Sequence, residues 1–582
     1  MKKRVKQLIF VATLVSLAGC KDFLTENPTE NLFPPQIYAN RETAYTAVIG
    51  CYQKMAANNY YGSSWTEAFL PSSIFVTTGI DPAGNNGATQ LEMANMASYN
   101  ISPDNSSGVA SPWAGVYQAI GRCNIAIAGI EGSSGISNDD KLKLIGEVRF
   151  LRAVSYFNVV RMWGRAPMPL APASSISDAH HGRVGVDTLF NAIIDDFKYA
   201  EENMPTKSEQ VWGKPFNYAA TAFLAKVYAA MATSEYLFVG RHDPWAGQRE
   251  GYWKDSYDAA KKVYDAKVYS LMPNYNDLWM GKNKSSHESI FEIQYNSETG
   301  GNGWAWGTYP GNTVLTPNSA NLNNANRGRI RGTRAVWNLQ VAKYTTADPR
   351  LAANYITGGY VQPNANAPAG DIVNGLIWLF PTDTIPNTSP VKAAAWGFSF
   401  PCLKKYIDPK WVNSGSASVN WMVYRYADLM LTMAEAANEI GDPDNLKFRV
   451  VNEVLKRARD SAPGSTEPAD WQPSAQYNTK DGFRQAVMAE RLFELPCEGH
   501  EWFDVRRRGV PWFRDMAIGY NTDLDAHPRN ADVNAQGVSR VKAVHVPTDT
   551  MTVRKLLLMP IPNTEFNANV SYSGNKDQNF GY

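Results

Sequence analysis

The chain has 582 residues, 44% hydrophobic and 12% aromatic, enough to bury a large core and too many for a minimal domain. Its 56 Lys and Arg balance 55 Asp and Glu to a formal charge of +1. It carries no basic block of the kind that neutralises a phosphate backbone, which excludes nucleic acid as the expected partner.

Residues 1–19 read as an export signal. Lys2, Lys3, Arg4 and Lys6 form a positive start, and Leu8 to Ala18 is apolar except for Thr13 and Ser16, too short to remain as a membrane-spanning helix. The stretch ends in Leu17-Ala18-Gly19-Cys20, which resembles a lipobox, so lipidation is expected at Cys20. Small residues at 18 and 19 let a peptidase reach the backbone, and a thiol at 20 accepts the diacylglycerol. No other segment is apolar for long enough to cross a membrane, so the acyl chains are the expected anchor. Residues 20–39, punctuated by Asn27-Pro28 and Pro34-Pro35, suit a tether.

Helical periodicity follows at about 41–57, 112–130, 139–162, 187–203, 217–236 and 251–266, and again at 424–440, 446–460 and 481–494. The 139–162 segment has one apolar stripe through Leu144, Val148, Leu151 and Met162 and another through Phe150, Ala153, Phe157 and Val160, so it must be packed on both faces. Between about 271 and 420 the pattern changes to Gly, Asn, Pro and Trp with brief apolar runs, the signature of loops and short strands. The predicted fold is mainly α: a tetratricopeptide-like helix-pair scaffold, or α-solenoid, over about 40–270 and 420–515. A loop-rich, short-strand insertion over about 271–420 forms the ligand face, and 40–582 is expected to be a single domain.

Several blocks then carry a resemblance. They are Cys20-Lys21-Asp22-Phe23-Leu24, Arg149-Phe150-Leu151-Arg152-Ala153, Tyr424-Arg425-Tyr426-Ala427-Asp428, and Glu490-Arg491 through Glu494 to Glu498-Gly499 and Trp502-Phe503-Asp504. Leu558-Met559-Pro560-Ile561-Pro562 and the terminal Gln578-Asn579-Phe580-Gly581-Tyr582 complete them. In order and spacing they resemble the SusD/RagB family of outer-membrane lipoproteins. The resemblance implies a surface-exposed, lipid-anchored protein that binds a glycan without cleaving it and delivers it to a TonB-dependent, SusC-like transporter. A peptide is the alternative ligand, and a glycan-degrading enzyme a further alternative.

Residues for chemistry are scarce. Glu490, Glu494, Glu498 and Asp504 could pair as glycosidase carboxylates, but Arg484, Arg491 and Arg506 to Arg508 lie close in sequence, and arginine partners would lower their pKa values and make structural ion pairs. No nucleophile elbow or His-Glu-x-x-His helix occurs, so no catalytic residue is assigned. His180-His181 is the one adjacent histidine pair, in a polar linker, and no cofactor or metal is expected. The aromatics of 295–312 are different in kind. Tyr295, Trp304, Trp306 and Tyr309 sit among Asn, Gly, Ser and Thr without apolar periodicity, as expected of rings that stack on sugar faces while amides bond the hydroxyls. A second wall is expected from Trp65, Asp81 and Asn85, near Tyr60-Tyr61 and an exposed Gly/Pro-rich turn.

Overall fold

The computed structural model describes residues 34–62, scattered positions to 99, and most of 100–295, 343–356, 402–406, 419–526 and 545–582, with short strands at 314–315, 360–362 and 376–378. Helix α1 (Arg41–Met55), capped by the Asn40 side chain on the Thr43 amide, packs on α2 (Ser111–Glu131). α2 then packs on α3 (Asn138–Trp163), α3 on α4 (Val186–Asn203), α4 on α5 (Asn217–Ala232) and α5 on α6 (Arg249–Ala266). Each helix covers its sequence neighbour, so the fold is the expected mainly α stack of tetratricopeptide-like pairs.

α3 is the centre of this stack. Ser137 caps it on the Asp140 amide with Asp139 and Asp140 in the first turn, and it stops at Gly164, whose φ of +69° is disfavoured for a side-chain-bearing residue. From Leu144 to Trp163 every residue except Arg149 is buried, as two opposite apolar stripes require.

Beyond α6 the chain makes strand β1 (Ser289–Ile293), short strands β2 (Val314–Leu315), β3 (Tyr355–Ile356), β4 (Tyr360–Gln362), β5 (Leu376–Trp378) and β6 (Cys402–Leu403), and helix α7 (Pro349–Asn354). Strand β7 (Trp421–Arg425) closes the excursion by pairing antiparallel with β1, Ile293 opposite Trp421 and Ser289 opposite Arg425. The rest of the scaffold is α8 (Tyr426–Glu439), α9 (Lys447–Asp460), α10 (Lys480–Glu494), α11 (His500–Arg507) and α12 (Gly509–Ala526). α8 packs on α6, α9 and α10, so the helix stack resumes where β7 returns.

Two boundaries correct the periodicity. Tyr424 and Arg425 belong to β7 because the ladder to β1 claims them, and the helix begins at Tyr426, whose amide bonds the Glu288 carbonyl at 2.9 Å. The helix expected over 217–236 ends at Ala232, followed by a 3₁₀ turn over Ser234–Phe238. The C-terminal blocks fold back on the end of α3. Asn579 donates to the carbonyls of Trp163 and Met559, and Arg183 donates to Asn579 at 2.6 Å.

Candidate functional site

Asp81, Asn85, Trp304, Trp306 and Tyr309 lie outside the described residues, as does Cys20. The described aromatics of the two candidate loops are not exposed. Trp65 is 2% exposed, edge-on to Tyr60 and Phe69 and tilted against Trp163. Tyr295 is also 2% exposed, its amide donating to the Asn420 side chain at 3.0 Å. The expectation that Trp65 forms a solvent-facing wall is therefore corrected. Its ring partners are the neighbouring Tyr60, Tyr61 and Phe69, at no regular helical or strand spacing, together with Trp163 from the distant end of α3. Trp113 is scaffold as well, 4% exposed, with its indole N–H donating to Glu565.

These buried rings flank the two candidate segments, and both sets reach β7 or its flank: Trp65 shares a cavity lining with Trp421 and Val423, and Tyr295 bonds Asn420. Asn158 on α3 donates to both the Tyr60 and Tyr61 hydroxyls at 2.7 Å and accepts from Arg161 at 2.8 Å. Burial above all, with a smaller contribution from Tyr61, pushes the Tyr295 hydroxyl well above the usual phenol range. One internal cavity, large enough for a water molecule or two, has Trp65 and Phe69 of the early segment on one side and Trp421 and Val423 of β7 on another. Gly499 closes it at the start of α11 with φ +81°, and a Cβ there would fall 2.6 Å from the Phe69 ring. A second cavity shares the partition formed by Arg161, Lys226, His500 and Phe503.

The partition is polar and mostly paired, although the buried His500 Nε2 makes no hydrogen bond. Lys226 Nζ donates to Asp428 at 2.5 Å and lies 3.1 Å from His500 Nδ1. Burial lowers Lys226 to about 8 despite Asp428, and burial with Lys226 beside it lowers His500 to about 3, so the imidazole is neutral near pH 7. The Arg161 guanidinium is sandwiched 3.8 Å from both the Phe157 and Phe503 rings.

A buried charge network fastens the strand-rich excursion to the scaffold. Arg425 donates to Glu288 and Glu494 at 2.7 Å and to Glu498 at 2.8 Å. Arg457 on α9 also holds Glu288 and Glu494, Arg350 on α7 holds Asp348, Glu490 and Glu494, and Lys405 holds Glu498 at 2.6 Å. Glu490 and Glu494 of α10 are thus ion-paired, but not with the arginines nearest in sequence. Arg491 serves Asp428 and Asp504, Arg484 serves Glu439 and Asp481, and Arg507 and Arg508 serve Glu435.

The expected lowering holds for Glu494, Glu498 and Asp504 but not for Glu490. Arg457, Arg425 and Arg350 overcome burial and bring Glu494 down to about 2, whereas burial outweighs Arg350 at Glu490 and pushes it up to about 7. Such a split is what an acid–base pair needs. Here the two are 4% and 0% exposed and occupied by guanidinium groups, the environment of a structural clamp. Sequence reasoning missed Arg350, Lys405 and Glu288. Asp348-Pro349 is an N-cap followed by Pro at N1, a start signal that could have found α7. Among the described residues no group of His, Cys, Asp and Glu has the arrangement of a metal site, and no helix is long and apolar enough to cross a membrane.

Comparison with known proteins places this arrangement in company. A profile described as the SusD family matches residues 287–582, and one described as starch-binding associating with outer membrane matches residues 22–229. A SusD-like protein of Formosa agariphila is 23% identical over 538 residues, 86% of this chain and 89% of that protein. One from Bacteroides ovatus is 24% identical over 544 residues, 88% and 84% of the two chains. The fold is similar to that of a SusD homolog from Bacteroides thetaiotaomicron, with a TM-score of 0.68, 20% identity, and 94% and 97% of the two chains covered. It is also similar to a laminarin-binding SusD-like protein, with a TM-score of 0.64, 19% identity, and 94% and 100% covered.

Proposed function

The chain belongs to the SusD family, and we propose that it is a surface lipoprotein, anchored through Cys20, that captures an oligo- or polysaccharide and hands it to a TonB-dependent, SusC-like outer-membrane transporter. It binds its ligand without cleaving it. The observation that carries the reading is the convergence of the two loop roots. Tyr60, Tyr61 and Trp65 precede the segment with Asp81 and Asn85, and Tyr295 precedes the segment with Trp304, Trp306 and Tyr309. Tyr60 and Tyr61 bond Asn158 of α3, Trp65 shares a cavity lining with Trp421 and Val423 of β7, and Tyr295 bonds Asn420 beside β7. Loops raised from adjacent roots on a rigid scaffold are suited to form two sides of one binding face. Trp304, Trp306 and Tyr309 supply stacking surfaces and Asp81 and Asn85 bond hydroxyls, with Trp65 as buried support. The laminarin-binding relative of the same fold makes a β-glucan the first ligand to try.

Replacing Trp306 with Ala is expected to weaken polysaccharide binding by more than about 1 kcal/mol, the loss of a hot-spot ring, with an unchanged melting temperature. A large melting drop with unchanged affinity per folded molecule would mean that Trp306 packs and does not recognise. Binding of extended peptides in place of any glycan across a ligand panel would select the peptide reading. Reducing ends released on incubation, and lost in Glu490→Gln, would revive a hydrolase. For the anchor, Cys20→Ala is expected to leave the membrane fraction in a strain lacking the partner transporter. Firm membrane retention there would remove Cys20 from the proposal.

A further inference from the structure

We propose that Cys51 and Cys123 are joined by a disulfide in the exported protein, tying the first scaffold helix to the second. Cys51 lies on α1 and Cys123 on α2, helices that pack directly against each other, and both residues are 0% exposed in the same core. Their chain neighbours also approach each other across the interface. A Cβ on Gly50, the neighbour of Cys51, would lie 3.8 Å from the Arg122 side chain, the neighbour of Cys123. The Cys51 thiol itself donates to the Ala47 carbonyl at 3.4 Å. Contact with the Cys51 thiol, ahead of burial, also pushes the Cys123 thiol well above the ordinary range. Both are free thiols in this structure, and two thiols facing each other in one helix interface need only an oxidant to become a crosslink.

The setting supplies one. The family is described as associating with the outer membrane, beyond the reducing cytosol, where disulfides form and persist. Each thiol loses its proton, one S–S bond forms, and the two electrons reduce the disulfide of an envelope thiol oxidase to a dithiol. Once folded, the pair is sealed from solvent and the Cys123 thiolate is suppressed, so oxidation belongs to the stage before α1 docks. The bond would close the chain from 51 to 123, the stretch that holds Trp65 and the Asp81–Asn85 segment. That would restrict the unfolded chain and brace the helix nearest the tether.

The test is peptide mapping of the full-length protein isolated from the cell envelope, denatured in excess maleimide without reductant. The expected result is a Cys51–Cys123 linked peptide, two hydrogens lighter than its reduced components, with neither cysteine labelled. Maleimide on both cysteines before reduction would overturn the proposal. A second arm refolds reduced protein lacking residues 1–19 in oxidised glutathione. The same linked peptide is expected, together with a melting temperature that falls by several degrees on reduction in the parent but not in Cys51→Ala/Cys123→Ala. Pairing of either cysteine elsewhere, or no linked peptide, would refute the geometry independently of export.

Discussion

Replacing Arg425 with Ala is expected to destabilise the folded protein by about 3–5 kcal/mol, the cost of leaving buried charges without their partner. Arg425 is 0% exposed and, among the described residues, is the cation that touches both Glu494 and Glu498 while also holding Glu288. Its loss leaves Glu498 to Lys405 alone and Glu494 to Arg350 and Arg457. No water can enter easily to replace it, because these carboxylates are sealed in the core. Arg425→Lys should recover little, since an ammonium cannot span three carboxylates with a planar fork. The urea or thermal midpoint measures the effect, and a shift worth less than about 1 kcal/mol, the level of exposed pairs, would show that the network does not hold the fold. Arg425 ends β7, so the variant should also weaken ligand binding from a distance by loosening the base of the excursion.

The ion pairs mark where sequence reading succeeds and where it stops. That Glu490 and Glu494 are paired with arginine could be read from the crowd of charges around them. Which arginines do the pairing could not, because Arg350, Arg425 and Arg457 come from α7, β7 and α9 and reach α10 only through the tertiary fold. α3 was fully legible, since its two stripes and its Ser137 cap are local signals. Trp65 and Tyr295 were not. A ring among Gly, Ser and Asn looks exposed, and only the arrival of Trp163, Asn420 and other distant groups buries it. Helix α11 escaped because its Arg, Asp and Trp side chains serve internal pairs and not an outward polar face. Trp304, Trp306, Tyr309, Asp81 and Asn85 are read from composition, since they lie outside the described residues.

Changing Glu501 to Gln is expected to remove a pH dependence from folding and to make the protein more stable than its parent by about 3 kcal/mol at pH 7. Glu501 is 2% exposed on α11, and neither carboxyl oxygen has a hydrogen-bond partner outside its own residue. Burial dominates its ionisation. Its own backbone N–H and Lys405 favour the charge, Glu498 and Asp504 oppose it, and the group is pushed up to about 8, so the native protein holds a neutral acid at pH 7. The sign follows from that direction. Below about 4.5, the ordinary value, both folded and unfolded chains are protonated there and the contribution to stability is fully present. As pH rises the unfolded chain ionises while the folded one does not, and stability falls by about 1.4 kcal/mol per pH unit until the folded group also ionises near 8. Glu490, raised to about 7, acts in the same direction, but it is common to parent and variant, so the difference between their curves isolates Glu501. A Gln amide in the same site lacks partners at every pH, and it is the slope of that difference, not its level, that identifies titration. Unfolding free energies at pH 5, 6, 7 and 8 that run parallel for the two proteins would show that Glu501 is either already ionised in the fold or reached by water.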